Sequence, residues 1–124
     1  MKKTRILIVD DEVIIAKSLQ YQLSSFSFTD CSIATNVKET LKIIREKTPD
    51  FILMDIKLNN HLDGIELSRE IAKEYQIPMA YVSGFIDEPT LNRAAATMPV
   101  RIFNKPVNVH TIIQMIIEHL ELSA

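Results

Sequence analysis

Three carboxylates in a row, Asp10, Asp11 and Glu12, interrupt the stretch "RILIVDDEVII" (Arg5–Ile15) directly after a run of apolar β-formers. Like charges at the end of a buried segment repel one another and resist desolvation, so a packed core has no use for them. A divalent cation does. Further along, chemistry-bearing residues stand at the ends of other apolar runs: Asp55 closes "PDFILMD", Ser83 closes "IPMAYVS", and Lys105 follows "VRIFN". Each alone has an ordinary explanation. A strand-terminal Asp is commonly a turn former or helix N-cap, a loop Ser a solvated hydroxyl, and a single Lys a surface charge.

What joins these residues is the order of elements that must carry them. Short apolar runs alternate with longer stretches of helical period. Ile6–Val9 reads as a strand, followed by a helix over Val13–Ser24 with Ile15, Leu19 and Leu23 on one stripe. Asp30–Ala34 is a weaker strand. Asn36 is the N-cap of a second helix carrying Val37, Leu41 and Ile44 on one face. Strands are then expected at Pro49–Asp55, Ile77–Ser83 and Val100–Asn104, and helices at Ile65–Tyr75, Glu88–Met98 and Asn108–Leu122. In the last helix, Ile113, Ile116, Ile117 and Leu120 are expected to face the core. Five strands alternating with five helices imply an α/β fold, a parallel sheet covered on both faces and joined by right-handed crossovers.

Open parallel sheets build their sites beyond the carboxyl ends of the strands. By that rule Asp10, Asp11, Asp55, Ser83 and Lys105 converge on one crevice. The cluster offers hard carboxylate oxygens with no Cys or nearby His, which favours magnesium over zinc. Magnesium takes one or two carboxylates plus waters and phosphate oxygens, leaving a carboxylate free as a nucleophile that can form an aspartyl phosphate. Lys105 would then neutralise one phosphoryl oxygen and the Ser83 hydroxyl would hydrogen-bond another.

Read together, "ILIVDDE", "FILMDIKLNNHLDGIEL", "YVSGF" and "FNKPV" make the chain resemble a response-regulator receiver domain of two-component signalling, similar to the single-domain chemotaxis-type regulators. The resemblance spans essentially all 124 residues. It implies one receiver domain over residues 1–124, with a flavodoxin-like sheet in the order 2-1-3-4-5. Asp55 matches the phosphoacceptor, and Asp10 and Asp11 match the acidic pair that positions Mg2+. The main-chain carbonyl of Lys57 matches a further metal ligand. Ser83 matches the switch hydroxyl, and Lys105 matches the invariant lysine, followed by Pro106 in a cis peptide. The implied partners are a sensor histidine kinase or phosphotransfer protein as donor, and a downstream effector or fused output domain as receiver of the signal.

Some positions depart from the family's pattern. Ile102 stands where relatives usually carry an aromatic, and Phe103 falls on the opposite strand face by alternation. Phe85 stands where many relatives have a polar residue that orients attacking water, and Lys57 occupies a position that tunes that hydrolysis. The signal is expected to leave through Ser83 and the surface of the fourth helix, fifth strand and fifth helix. The Ala-rich fourth helix is expected to be loosely anchored.

Other classes are weighed against this reading. A flavin or mononucleotide binder would want a Gly-rich loop after the first strand, and the only glycines are Gly64 and Gly84. A Mg2+-dependent small phosphohydrolase could use the same carboxylates but has no spare length for a substrate cap. A net charge of −2 gives no basic excess for nucleic acid. Lone Cys31 reads as a small packed hydrophobe, and the apolar runs are too short for a signal peptide or a membrane span, so a cytoplasmic location is expected. His61 reads as a surface loop residue, and His110 and His119 as exposed.

Overall fold

Strands and helices alternate without exception: β1 (Arg5–Val9), α1 (Val13–Ser24), β2 (Asp30–Ala34), α2 (Val37–Glu46), β3 (Phe51–Met54), α3 (Gly64–Ala72), β4 (Met79–Ser83), α4 (Glu88–Ala96), β5 (Arg101–Asn104) and α5 (Val109–Leu120). The computed structural model describes residues 3–58, 62–84 and 86–122. His61 and Phe85 lie outside the described residues. All neighbouring strands pair in parallel in the order β2-β1-β3-β4-β5, the flavodoxin-like topology expected.

The sheet is buried on both faces because its central strands are apolar at every position, the pattern that parallel sheets require. Ile6 and Ile8 of β1 face one core with Phe51, Leu53 and the α5 residues Ile112 and Ile116. Leu7 and Val9 face the other with Ile52, Met54, Tyr81 and residues of α2, α3 and α4. On β5 the same alternation sends Phe103 to the first core and Ile102 to the second, as expected. No helix among the described residues is long and apolar enough to cross a membrane.

Helix starts follow capping chemistry. Asn36, Asp63, Asp87 and Asn108 each accept a backbone N–H of the first turn, and Asp63 forms a reciprocal capping box with Glu66. Several expectations shift. α3 begins at Gly64 and ends at Ala72 rather than Tyr75, because the N–H groups of Lys73 and Glu74 turn back to carbonyls three residues earlier and tighten the last turn. α4 ends at Ala96: Thr97 is its C-cap, and Met98 takes a left-handed φ of 55°. β4 starts at Met79, after Pro78, which has no N–H to give the ladder.

Two inward faces also differ from expectation. Ile15 of α1 is 40% exposed, and Ala16 is the buried residue of that turn. In α5, Ile112 and Met115 are buried along with Ile113 and Ile116, while Ile117 and Leu120 are only partly buried against the same core. α4 is not loosely held either. Arg93 donates to Asp63 at 2.9 Å, Ala94 is fully buried, and Thr97 bonds to Tyr81 at 2.7 Å.

Candidate functional site

Backbone hydrogen bonds at the carboxyl edge of the sheet fix the chemistry-bearing residues before their side chains meet. The Asp10 N–H donates to Ala34, the Asp55 N–H to Val9, and the Lys105 N–H to Ser83, each to a carbonyl of the adjacent strand at 2.7–3.0 Å. Asp10, Asp55 and Lys105 are therefore held one step past their strands, where the ladder ends and side chains turn toward one another. The Lys105–Pro106 peptide is cis, as expected.

The side chains converge as the sheet-edge rule predicts. The Lys105 ammonium donates to Asp10 Oδ2 at 3.0 Å and Asp55 Oδ2 at 3.2 Å, and it lies 3.6 Å from Glu12 Oε1. The other oxygen of Asp55 accepts from the Ser83 hydroxyl and from the Lys57 N–H, each at 3.2 Å. Asp10 Oδ1 accepts the Glu12 N–H at 2.9 Å. Asp10, Asp55 and Ser83 are buried. A crevice of about 320 Å³ opens above them, lined by Asp11, Glu12, Asp55, Lys57, Ser83, Gly84 and Lys105.

Burial and the neighbouring Asp10 charge push the Asp55 carboxyl up to about 6, against the opposing pull of Lys105. For Lys105, burial acts to lower the pKa, but the bond to Asp10 and the Asp55 charge outweigh it and raise it. The site is short of positive charge. One oxygen each from Asp10, Asp11 and Asp55 lie within 4.8 Å of one another, close enough for a shared cation. Hard carboxylate oxygens suit magnesium, which completes its coordination with waters alongside one or two carboxylates.

Gly64 contributes something its sequence context did not announce. A Cβ there would sit 1.9 Å from the Asp55 carbonyl oxygen, and the Gly64 N–H donates to Ile56 at 2.7 Å. Glycine thus lets α3 start directly against the backbone that carries Asp55. The nearest sequence signal was its Asp63 N-cap. Glu12, read only as part of the acidic run, supplies the third carboxylate facing Lys105. Cys31 is remote from this site, with its thiol pushed up to about 12 by burial and by Asp30, in keeping with a packed, unreactive side chain.

The sheet order and the acidic crevice at its carboxyl edge define a flavodoxin-like α/β domain with a carboxylate site in place of a Gly-rich nucleotide loop. Residues 6–117 match the response regulator receiver domain family, and the chain belongs to that family. Solved structures agree. The signal receiver domain of a modulated diguanylate cyclase from Desulfovibrio desulfuricans superposes with a TM-score of 0.88 at 28% identity, covering 97% of this chain and 95% of that one. The receiver domain of NtrX from Brucella abortus gives 0.84 at 29% identity, covering 95% and 99%. A CheY-like receiver domain protein from Methanospirillum hungatei gives 0.84 at 27% identity, covering 97% and 95%. Phosphoryl transfer onto an aspartate, with Mg2+ at an acidic pocket, is general to this family.

Proposed function

We propose that this domain accepts a phosphoryl group on Asp55, from a histidine kinase or phosphotransfer protein, and relays it as a conformational signal. One observation carries the reading: the buried Asp55 carboxylate is held between Ser83, Lys105 and the Asp10–Asp11 pair beneath an open crevice. Asp10, Asp11 and Asp55, with the Lys57 main-chain carbonyl, are the groups that would hold Mg2+. The bound cation offsets the negative charge of the transferring group.

The chain's own residues supply the rest. An Asp55 oxygen forms the new P–O bond while the P–N bond to the donor imidazole breaks and its electron pair returns to the ring nitrogen. Lys105 already contacts Asp55, so it meets a phosphoryl oxygen without reorganising. The Ser83 hydroxyl exchanges its 3.2 Å bond to Asp55 for one to a phosphoryl oxygen, which carries more negative charge. That draws the β4–α4 connection inward and carries the signal to the surface of α4, β5 and α5. The donor's approach is apolar: Val13, Ile14 and Ile15 follow the acidic run at the start of α1, and Ile14 is 85% exposed. The domain acts as a cytoplasmic signalling module that assists its own phosphorylation and dephosphorylation.

The test is beryllofluoride, a phosphoryl mimic, with magnesium. Wild type should bind it and Asp55→Asn should not; equal binding by both removes Asp55 from its role. The phosphohydrolase alternative predicts rapid multiple turnover on small phosphate esters, whereas a phosphoacceptor releases phosphate no faster than its own aspartyl phosphate hydrolyses.

A further inference from the structure

Behind Ser83, on the same face of β4, lies a second polar group that the phosphoacceptor site does not use. Tyr81 is fully buried, and its hydroxyl lies 2.5 Å from Ser68 Oγ of α3 and 2.7 Å from Thr97 Oγ1 at the end of α4. Ser68 also reaches the Ile65 carbonyl at 3.0 Å, and Thr97 the Ala94 carbonyl at 2.7 Å. Four close contacts are thus served by the protons of three hydroxyls. At any moment one of the four contacts is therefore without a proton. Tyr81 gives its own proton to one helix, and it is bonded to both whenever Ser68 or Thr97 turns its proton from its carbonyl to the Tyr81 oxygen.

We infer that Tyr81 is a positioning residue that pins the C-terminal end of α4 to α3 and makes that end the pivot when the other end moves. The two ends of α4 are held unequally. At the N-terminal end Glu88, Pro89, Leu91 and Asn92 are exposed, and the first turn is held by the exposed Asp87 cap on Thr90. The Arg93–Asp63 pair, at 2.9 Å, belongs to the last turn and is 42% and 28% exposed, the kind that water and salt weaken readily. The Tyr81 chain is buried, where each such bond is stronger and harder to replace. Ser83 lies two residues beyond Tyr81, so a pull on Ser83 reaches α4 through its N-terminal connection, opposite the pinned end. Tyr81 pairs with Ile102 of β5 in the same core cluster, and an aliphatic side chain there offers no polar group to compete for the hydroxyl.

The direction of this effect rests on the phosphoacceptor reading, but the pin itself does not. The experiment is amide hydrogen exchange on the full chain, with and without beryllofluoride and magnesium, for wild type and Tyr81→Phe. Phenylalanine leaves Ser68 and Thr97 with their own carbonyl acceptors, so no buried donor is stranded. Without beryllofluoride, exchange at residues 94–98 should quicken roughly fivefold in Tyr81→Phe, the worth of one or two net hydrogen bonds, while the sheet stays unchanged. With beryllofluoride, wild-type changes in α4 should concentrate at residues 88–92 and fade toward Thr97, and in Tyr81→Phe they should extend through Thr97. Unchanged basal exchange at residues 94–98, or acceleration spread evenly over the whole domain, overturns the pin. Should Tyr81→Phe fail to fold, Thr97→Val breaks the chain from its less buried end and is read the same way. A wild type that ignores beryllofluoride sinks the phosphoacceptor reading, and the basal exchange still decides the pin.

Discussion

Lys105 and Asp55 stand 50 residues apart in the chain and 3.2 Å apart in the fold, with the lysine as the cation that Asp55, Asp10 and Glu12 share. Removing one partner of such a buried arrangement leaves the others uncompensated. Lys105→Ala should therefore lower the stability of the magnesium-free protein by about 2 kcal/mol, and magnesium should restore most of it. Urea unfolding with and without the metal measures both. A variant as stable as wild type without magnesium would mean that Lys105 does not balance these carboxylates.

Removing the carboxylate should do the reverse. The Asp55 pKa is about 6 in the fold against an ordinary 3.8, so the folded state binds the extra proton. That contribution favours folding below about pH 4, is lost as the pH rises through 4 to 6, and leaves an ionised group at a disadvantage above that. In magnesium-free buffer, Asp55→Asn should match wild type near pH 4 and exceed it by about 2 kcal/mol at pH 7. Chemical denaturation at the two pH values checks this, and a constant difference across the range would contradict it.

Ile14 offers a test of the donor surface. It is 85% exposed, so Ile14→Asp should change stability by no more than about 0.5 kcal/mol. Phosphorylation of Asp55 by acetyl phosphate should be unaffected, while transfer from a donor protein should slow about tenfold. Equal slowing with both donors would place the effect in the site and not on the docking face.

Met98 predicts a stabilising change. Its φ of 55° places a side chain that is 87% exposed in left-handed backbone just after α4, where glycine is usual. Met98→Gly should relieve this and raise stability by about 0.5–1 kcal/mol, read as a higher thermal midpoint.

Where the sequence had a clear pattern, the fold followed it. The all-apolar runs of β1 and β3, the Asn36 cap, and Asp10, Asp55, Ser83 and Lys105 at the strand ends all appear where local rules put them. The misplaced inward faces of α1 and α5 have one cause. In "VIIA" and "IIQMII" nearly every residue is apolar, so periodicity cannot choose the inward one, and packing selected Ala16 over Ile15 and added Ile112 and Met115. The Tyr81 chain and the Arg93–Asp63 pair join residues 13 to 30 positions apart. No local pattern reports such partners, which is why α4 looked freer in the sequence than it is.

The sheet closes on neither side, and β5 is one of its two rims. An open rim is a template onto which a foreign strand can add, the first step of aggregation. This one is poorly suited to it. β5 is four residues long, opens with exposed Arg101 whose guanidinium stacks 5.3 Å from the Phe103 ring centre, and lies between Pro99 and Pro106, which have no N–H to offer a newcomer. This rim of the sheet is thereby kept from templating a foreign strand.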